Sequence, residues 1–369
     1  MEIRLDRAEF LTELAPMQGI VERKSTIPVL SHLKLQARDG KLHLAATDLD
    51  VSLTSWCEAD VALEGGIAVQ AKKFMEIIRS LRGEEVALTL EEPKELTITA
   101  ESSRFKIHGL APEDFPTLPE VDEASSVEIP FKDLKRMISK VIFAISADES
   151  RFQLNGALLK IKPESLELVA TDGHRLAVVE ADLEGAPATD GEPPSVLVPR
   201  KALQELQRFD GKGDVAYRRG AHHLSFRLGR RELICRILEG TFPDYERVIA
   251  TDNDKQVVFD TRRLLESVQR VALLTGDRAR GVRMSFAPGQ LVISAANPDL
   301  GEASEEILCD YDGTSFQLGL NPDYVSQFLA AVETDSVRLD LKDENSQCVG
   351  HPVDGADRRY LCVIMPMRL

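Results

Sequence analysis

The sequence of 369 residues contains no apolar run close to the ~20 residues that a membrane-spanning helix needs. Its amino-terminal stretch, MEIRLDRAEF, is charged from position 2 and lacks the apolar core of a secretory signal. We therefore expect a cytoplasmic protein. With 43% hydrophobic and 29% charged residues, the chain can bury sizeable cores, and its length favours two or three domains.

Cysteine pairs and the short motifs of common enzymes are also missing. The five cysteines are scattered and never form a CxxC pair, so we expect reduced thiols rather than disulfides or a zinc site. No P-loop, GxGxxG or HExxH motif occurs, which removes support for nucleotide and zinc-hydrolase chemistry. The sequence therefore predicts no cofactor, no metal and no catalytic activity.

An excess of positive charge is missing as well, since the formal net charge is −16. Proteins that bind nucleic acid through its phosphates usually carry a basic domain. The composition alone therefore argues against nucleic acid as a partner. An acidic chain can still bind nucleic acid if its basic residues gather on one surface and its acidic residues lie elsewhere.

The chain contains three similar segments, each reading as a strand that runs into a polar turn: KLHLAATDLD (41–50), SLELVATDGH (165–174) and QLVISAANPD (290–299). Asp48, Asp172 and Asn297 lie 124 and 125 residues apart at matching places. Such side chains cap a turn by bonding to the backbone that follows. Alternation such as Leu166-Glu167-Leu168 predicts strands with one buried and one solvated face.

Further markers keep the same period. Phe115-Pro116 recurs as Phe242-Pro243, each time after a strand. Matches in register predict three copies of one domain, at residues 1–121, 127–249 and 250–369. A polar stretch at 182–195 inside the second copy reads as a long surface loop. Two helical patterns recur in each copy, starting near Arg7, Phe131 and Thr261 and near Lys72, Arg200 and Pro322. Each copy is thus an α+β domain with two helices packed on sheet.

Basic residues gather on the predicted solvent faces of four of these helices. On residues 131–146 an apolar stripe faces the core, and Lys132, Lys135, Arg136 and Lys140 share the opposite face. Three further helices show the same bias: Lys72, Lys73, Arg79 and Arg82; Arg200, Lys201 and Arg208; Arg262, Arg263 and Arg270. Helices pack roughly 8–10 Å apart, so about twelve are needed to enclose a duplex, which requires two chains with closed symmetry.

With these features the chain resembles, over its whole length, the beta sliding clamps of bacterial DNA polymerase III. The resemblance rests on TIPVLSHL (26–33), FPTLP (115–119), LNGALL (154–159), ATDGHRLA (170–177), FPDYERV (242–248) and the terminal VIMPMRL (363–369). It implies the DNA-clamp fold: three similar domains, each with two helices on antiparallel sheets, dimerising into a closed ring with helices lining the hole. It also implies a non-catalytic accessory subunit.

The resemblance implies as partners double-stranded DNA, a second copy of the chain, the polymerase III alpha subunit, the clamp-loader delta subunit, and other polymerases and repair proteins with clamp-binding peptides. Those peptides would enter a partner pocket between the second and third copies. Its implied residues are Leu154, Thr171, Gly173, His174, Arg175, Leu176, Pro243, Arg247, Val248, Tyr324, Val363, Ile364, Met365, Pro366, Met367, Arg368 and Leu369. His174, Arg175 and Arg247 would be polar anchors in an apolar cleft.

The resemblance further implies DNA contacts at Arg23, Lys24, Lys72, Arg79, Arg200 and Lys201. It implies a dimer interface at Arg104, Phe105, Leu273 and Leu274. Acidic Glu302, Glu305 and Glu306 could pair with Arg104 and Lys106 across that interface. The sequence departs from the family at Asp148, Phe152 and Gln153, where aromatic residues and a glutamine often contact DNA.

Alternatives to a clamp stay open at this point. His174 two residues after Asp172 could suggest a catalytic dyad, but neighbours on a turn seldom face one another and no activated nucleophile accompanies them. His222-His223 could suggest a metal pair, yet a strand sends adjacent side chains to opposite faces. A hydrolase or nuclease, and a sequence-independent DNA-binding regulator that does not encircle DNA, are the competing functions.

Overall fold

The computed structural model describes residues 1–21, 27–92, 94–122, 126–185, 194–276 and 281–368. The chain divides into two compact units. Unit 1 comprises Met1–Lys132 with Lys201–Ile237, and unit 2 comprises Asp133–Arg200 with Leu238–Leu369. Most of the predicted surface loop at 182–195, together with Arg23, Lys24 and Leu369, lies outside the described residues.

Helices begin where the sequence predicts them. Those in the described ranges are Arg7–Leu14 (α1), Met17–Ile20 (α2), Ala71–Ser80 (α3), Phe131–Val141 (α4), Arg200–Arg208 (α5), Thr261–Ala272 (α6) and Pro322–Ala331 (α7). Side chains of Asp6, Gln70, Asp260 and Asn321 cap α1, α3, α6 and α7 by accepting backbone N–H bonds. The predicted helix at 131–146 is too long: α4 ends at Val141, and a 3-10 turn follows over Ile142–Ala144. The β-branched pair Val141-Ile142 disfavours further helix.

Strands make up the rest of both units. In chain order they are Glu2–Asp6 (β1), His32–Arg38 (β2), Lys41–Thr47 (β3), Val51–Glu58 (β4), Asp60–Leu63 (β5), Gly65–Gln70 (β6), Glu85–Glu92 (β7), Glu95–Ala100 (β8), Ser103–Leu110 (β9), Val127–Pro130 (β10), Gly156–Ile161 (β11), Ser165–Thr171 (β12), Arg175–Asp182 (β13), Ser195–Pro199 (β14), Asp214–Arg219 (β15), His223–Leu228 (β16), Arg231–Arg236 (β17), Lys255–Asp260 (β18), Val282–Ala287 (β19), Gln290–Asn297 (β20), Gly301–Leu308 (β21), Phe316–Leu320 (β22), Ser336–Leu341 (β23), Cys348–Pro352 (β24) and Arg359–Ile364 (β25).

Unit 1 contains one antiparallel sheet of thirteen strands in the order β10-β15-β16-β17-β4-β3-β2-β6-β9-β8-β7-β1-β5. The helices α1 and α3 pack together, with the Phe10 and Phe74 rings 5.9 Å apart in an edge-to-face contact. Buried isoleucines and leucines of the alternating strands complete this core. The predicted plan of two helices on sheet is therefore present here.

Unit 2 contains an antiparallel sheet of eight strands, β14-β11-β12-β13-β25-β24-β23-β18, and one of four, β21-β20-β19-β22. The helices α6 and α7 pack against each other. On the eight-stranded sheet, Leu176, Val363 and Tyr245 belong to one buried apolar cluster. The terminal strand β25 thus lies within this sheet, beside β13.

The prediction of a half-solvated strand at Leu166-Glu167-Leu168 is wrong. All residues of β12 from Ser165 to Ala170 are buried, Glu167 included. Its carboxylate instead meets Tyr245, Lys160 and Lys162. The alternating pattern marks which residues share a face, but it does not tell which faces later segments cover.

Candidate partner pocket and basic surfaces

The turn between β12 and β13 is built by Asp172, as predicted. Its Oδ1 accepts the backbone N–H groups of His174 at 2.9 Å and Arg175 at 3.0 Å, and Gly173 takes the left-handed conformation at φ +88°. Asp48 and Asn297 cap their own turns in the same way. The predicted threefold recurrence of this turn is confirmed. Because Asp172 bonds to the His174 backbone through this oxygen, the pair gains no support as a catalytic dyad.

Arg175 is buried and bonds within the protein. Its Nε donates to Asp172 Oδ2 at 3.0 Å, and its two terminal nitrogens donate to Gln327 and to the carbonyl oxygen of Phe143. The guanidinium lies 4.3 Å from the centre of the Tyr324 ring, in cation–π contact. Only 8% of the residue is exposed. These bonds occupy the guanidinium within the protein, and the role of Arg175 as an anchor for a partner stays a prediction.

The carboxyl-terminal tail lies against this turn. Arg175 and Ile364 are opposed in the pairing of β13 with β25, and Leu176 opposes Val363. Beyond the strand, the Met365 N–H donates to the His174 carbonyl at 2.9 Å, and the Met367 N–H donates to Gly319 at 2.8 Å. Residues more than 180 positions apart thus meet at one place, which the local sequence pattern does not reveal.

The remaining predicted pocket residues divide into a floor and a rim. Leu154, Leu176, Val363 and Ile364 are buried, whereas Gly173, His174, Pro243, Arg247, Val248, Met365 and Arg368 are exposed and Thr171, Tyr324, Pro366 and Met367 are half-buried. Arg247 extends into solvent and pairs with Asp244 at 2.7 Å. Exposed apolar groups, Val248 and Met365 among them, thus lie next to charged and polar side chains on this surface.

A cavity of about 690 Å³ opens beside Arg175. Predicted site residues His174, Arg175, Tyr324 and Arg200 line it, together with Phe143, Arg151 and Gln327, which sequence reasoning missed. Gln327 follows Tyr324 by three residues on α7 and so shares its face, a spacing that could have identified it. Arg200, predicted to contact DNA, thus lines the same cavity as three residues of the predicted pocket.

The predicted basic surfaces are only partly open. Lys72 and Arg79 are exposed on α3, whereas Lys201 pairs with Asp48 and donates to the Ile20 carbonyl. On α4 the predicted solvent face is wrong for Lys140, which is buried and pairs with Asp357 and Glu333. Arg136 on the same helix also reaches Asp357, at 3.1 Å. Acidic residues distant in sequence therefore neutralise part of the expected basic surface.

Of the predicted interface residues, Arg104, Phe105 and Leu273 are exposed and Leu274 is half-buried. Phe105 is on β9, and Leu273 follows α6 with 78% of its surface exposed. The expected cross-chain ion pairs have competitors within the chain: Arg104 and Lys106 pair with Glu91, and Glu305 pairs with Arg270 at 2.6 Å. The bonded guanidinium lowers the pKa of Glu305 to about 2.

Two features are absent from the described ranges. No group of three or more His, Cys, Asp or Glu side chains is placed to hold a metal ion there. Among those same residues, no helix has the length and apolar character needed to cross a membrane.

Three domains in succession, each with helices packed on sheet, make up the fold of a sliding clamp, as predicted. Family models match the N-terminal, central and C-terminal domains of the DNA polymerase III beta subunit over residues 1–119, 128–244 and 246–368. The chain is 37% identical over 372 residues to a beta sliding clamp of Pseudomonas putida, with all of both chains covered. It belongs to the family of DNA polymerase III beta subunits, the beta sliding clamps.

Solved structures of sliding clamps support this family assignment. A sliding clamp from Pseudomonas aeruginosa bound to griselimycin superposes with a TM-score of 0.93 at 36% identity, with 100% of each chain covered. A sliding clamp from Bartonella birtlesii, also bound to griselimycin, gives 0.94 at 32% identity with the same coverage.

Proposed function

We propose that this protein is a homodimeric ring that encircles duplex DNA and tethers the replicative polymerase to it, with domains at 1–121, 127–249 and 250–369. It acts as a non-catalytic accessory subunit. The observation that carries the proposal is the succession of three beta-subunit domain matches, which together account for almost the whole chain.

The proposed dimer interface is supported by two strand edges. Strand β9 pairs with β8 along its length but with β6 only at Gly109 and Leu110, so Ser103–His108 has no second strand partner among the described residues. Strand β21 forms an edge of the four-stranded sheet. Unpaired edges readily pair with a strand of another chain. Because Arg104, Lys106 and Glu305 already have partners within the chain, we propose that apolar contacts and backbone bonds hold the interface.

The proposed DNA contacts are non-specific. Lysine and arginine bonds to phosphates hold a duplex without reading its sequence. Lys72 and Arg79 are the best described candidates because both are exposed. Phe152 is exposed in a 3-10 turn beside Gln153, so it is available for a DNA contact although the sequence departs from the family here.

Reversing the charge of Lys72 and Arg79 to Glu should shorten residence on DNA circles several-fold, because each reversal replaces an attraction to phosphate with a repulsion. The loss of the protein from DNA should also depend less steeply on salt concentration. The log–log slope should become shallower by about one unit for each phosphate contact removed. Surface plasmon resonance on end-blocked DNA at several salt concentrations measures both. Lys342→Glu, outside the proposed DNA contacts, is the control, and equal behaviour of the two variants would contradict the assignment.

The proposed partners are DNA, the polymerase III alpha subunit, the clamp-loader delta subunit, and other polymerases and repair proteins with clamp-binding peptides. The exposed apolar groups Val248 and Met365, above a buried floor, support binding of a short peptide with apolar ends. The griselimycin-bound relatives support a ligand site in this family.

Encirclement is tested by topology. Clamps loaded onto a nicked circle should remain bound through gel filtration and be lost once a restriction enzyme linearises the circle, since a ring slides off free ends. A regulator that binds DNA without encircling it should stay bound to both the circular and the linear form. Equal retention of this protein on the two forms would therefore refute the ring. Incubating the same DNA with the protein and magnesium, and looking for cleavage, tests the nuclease alternative.

A further inference from the structure

A row of charged side chains crosses the eight-stranded sheet of unit 2. Lys160 on β11 lies opposite Glu167 on β12, Glu167 lies opposite Glu180 on β13, and Glu180 lies opposite Arg359 on β25. Directly opposed residues of antiparallel strands project on the same face. This face therefore carries a strip of charge in which the two acids lie between the two bases.

The segment FPDYERV covers that strip. The Tyr245 hydroxyl donates to Glu167 Oε1 at 2.5 Å and accepts from Lys160 Nζ at 2.8 Å. At the next residue, the Glu246 carboxylate accepts hydrogen bonds from both terminal nitrogens of Arg359, at 2.9 and 3.1 Å. Burial and the adjacent Glu167 carboxylate raise the pKa of Tyr245, so the hydroxyl stays protonated and remains a donor.

These anchors sit between the exposed pocket residues. Pro243 precedes Tyr245, and Arg247 and Val248 follow it within the 3-10 turn Tyr245–Val248. The Val248 carbonyl is held separately by Gln347 at 3.0 Å. Tyr245 points into the sheet while its neighbours Pro243, Arg247 and Val248 face solvent. The hydrogen bond from Tyr245 to Glu167 therefore fixes the height of these neighbours above the buried Leu176 and Val363.

We infer that Tyr245 is a positioning residue for the partner pocket: docked on Glu167, it holds Pro243, Arg247 and Val248 at the position that a partner peptide needs. Glu246 supports the same segment through Arg359. The inference rests on the proposed function, because it presupposes that the pocket binds peptides.

The test uses the full-length dimer and a synthetic peptide with the clamp-binding sequence of the polymerase III alpha subunit of the same organism, the polymerase peptide. Tyr245→Phe removes one oxygen and keeps the ring. Calorimetry should give roughly five- to tenfold weaker binding, because only part of the stabilisation that a bond to a buried charge provides is passed on to the pocket. Tyr311→Phe is the matched control, because Tyr311 is equally buried and its hydroxyl also donates, to the Thr314 carbonyl at 2.6 Å.

A double-mutant cycle separates positioning from a general loss of stability. If Tyr245 acts by placing Val248, then Tyr245→Phe should weaken binding much less in a Val248→Ala background than in the wild type. Glu246→Ala removes the pair with Arg359 at an exposed residue and should also weaken binding, but less than Tyr245→Phe.

The outcomes distinguish the two claims. A wild-type dimer that does not bind the polymerase peptide overturns the proposed pocket and this inference with it. Wild-type binding with equal affinities for Tyr245→Phe and Tyr311→Phe leaves the pocket standing and overturns the role of Tyr245. Strictly additive effects of Tyr245→Phe and Val248→Ala overturn it as well.

Discussion

Deletion of residues 365–369 should abolish binding of the polymerase peptide while leaving a folded dimer. The strand β25 ends at Ile364, so the sheet keeps all its pairing with β13 and β24. What is lost is the exposed Met365, the half-buried Pro366 and Met367, and their backbone bonds to His174 and Gly319. Because one or two buried apolar contacts carry most of an interface's energy, the affinity should fall at least ~100-fold.

Calorimetry with the polymerase peptide measures the loss, and sedimentation with thermal melting checks the fold. Val258→Ala removes another exposed apolar side chain of the same unit and should bind as the wild type does. Native affinity in the deleted chain would place the pocket elsewhere. A smaller loss from Met367→Ala, on the order of 1–2 kcal/mol, would accord with a shared hot spot.

Features encoded by neighbouring residues could be predicted from the sequence. The capping of turns by Asp48, Asp172 and Asn297 depends on bonds to the next two or three residues, so the residue type and its place after a strand suffice. Helix starts at Arg7 and Thr261 follow in the same way from capping by Asp6 and Asp260. The resemblance then added the prediction that the turn at Asp172 belongs to a pocket.

Features that depend on distant residues could not be predicted in this way. Lys140 looks solvated on its helix, and only its distant partners Asp357 and Glu333 explain its burial. Glu167 looks solvated on its strand until Tyr245 covers it. A buried charge is tolerated when a partner is present, and a one-dimensional pattern cannot say where that partner comes from. The polar supports of the pocket, Arg175 included, belong to this class.

Replacing both Leu273 and Leu274 with Ala should convert the dimer into monomers that fail to remain on circular DNA. Leu273 is the most exposed large apolar side chain in the described part of the chain, at 78%, a degree of exposure that favours a contact with another molecule. Truncating two leucines in an apolar interface costs several kcal/mol, and both interfaces of a closed ring lose them at once. The dissociation constant of the dimer should therefore rise by at least ~1,000-fold.

Analytical ultracentrifugation across a concentration series measures the shift from dimer to monomer, and retention on nicked circles reports the loss of the ring. Leu49→Ala with Leu63→Ala is the matched control, because these leucines are also more than half exposed but lie outside the proposed interface. The mutated chain should stay folded and still bind the polymerase peptide, since Leu273 and Leu274 are not among the pocket residues. An unchanged sedimentation profile would show that the interface lies elsewhere, and a monomer that is retained on circles would contradict encirclement itself.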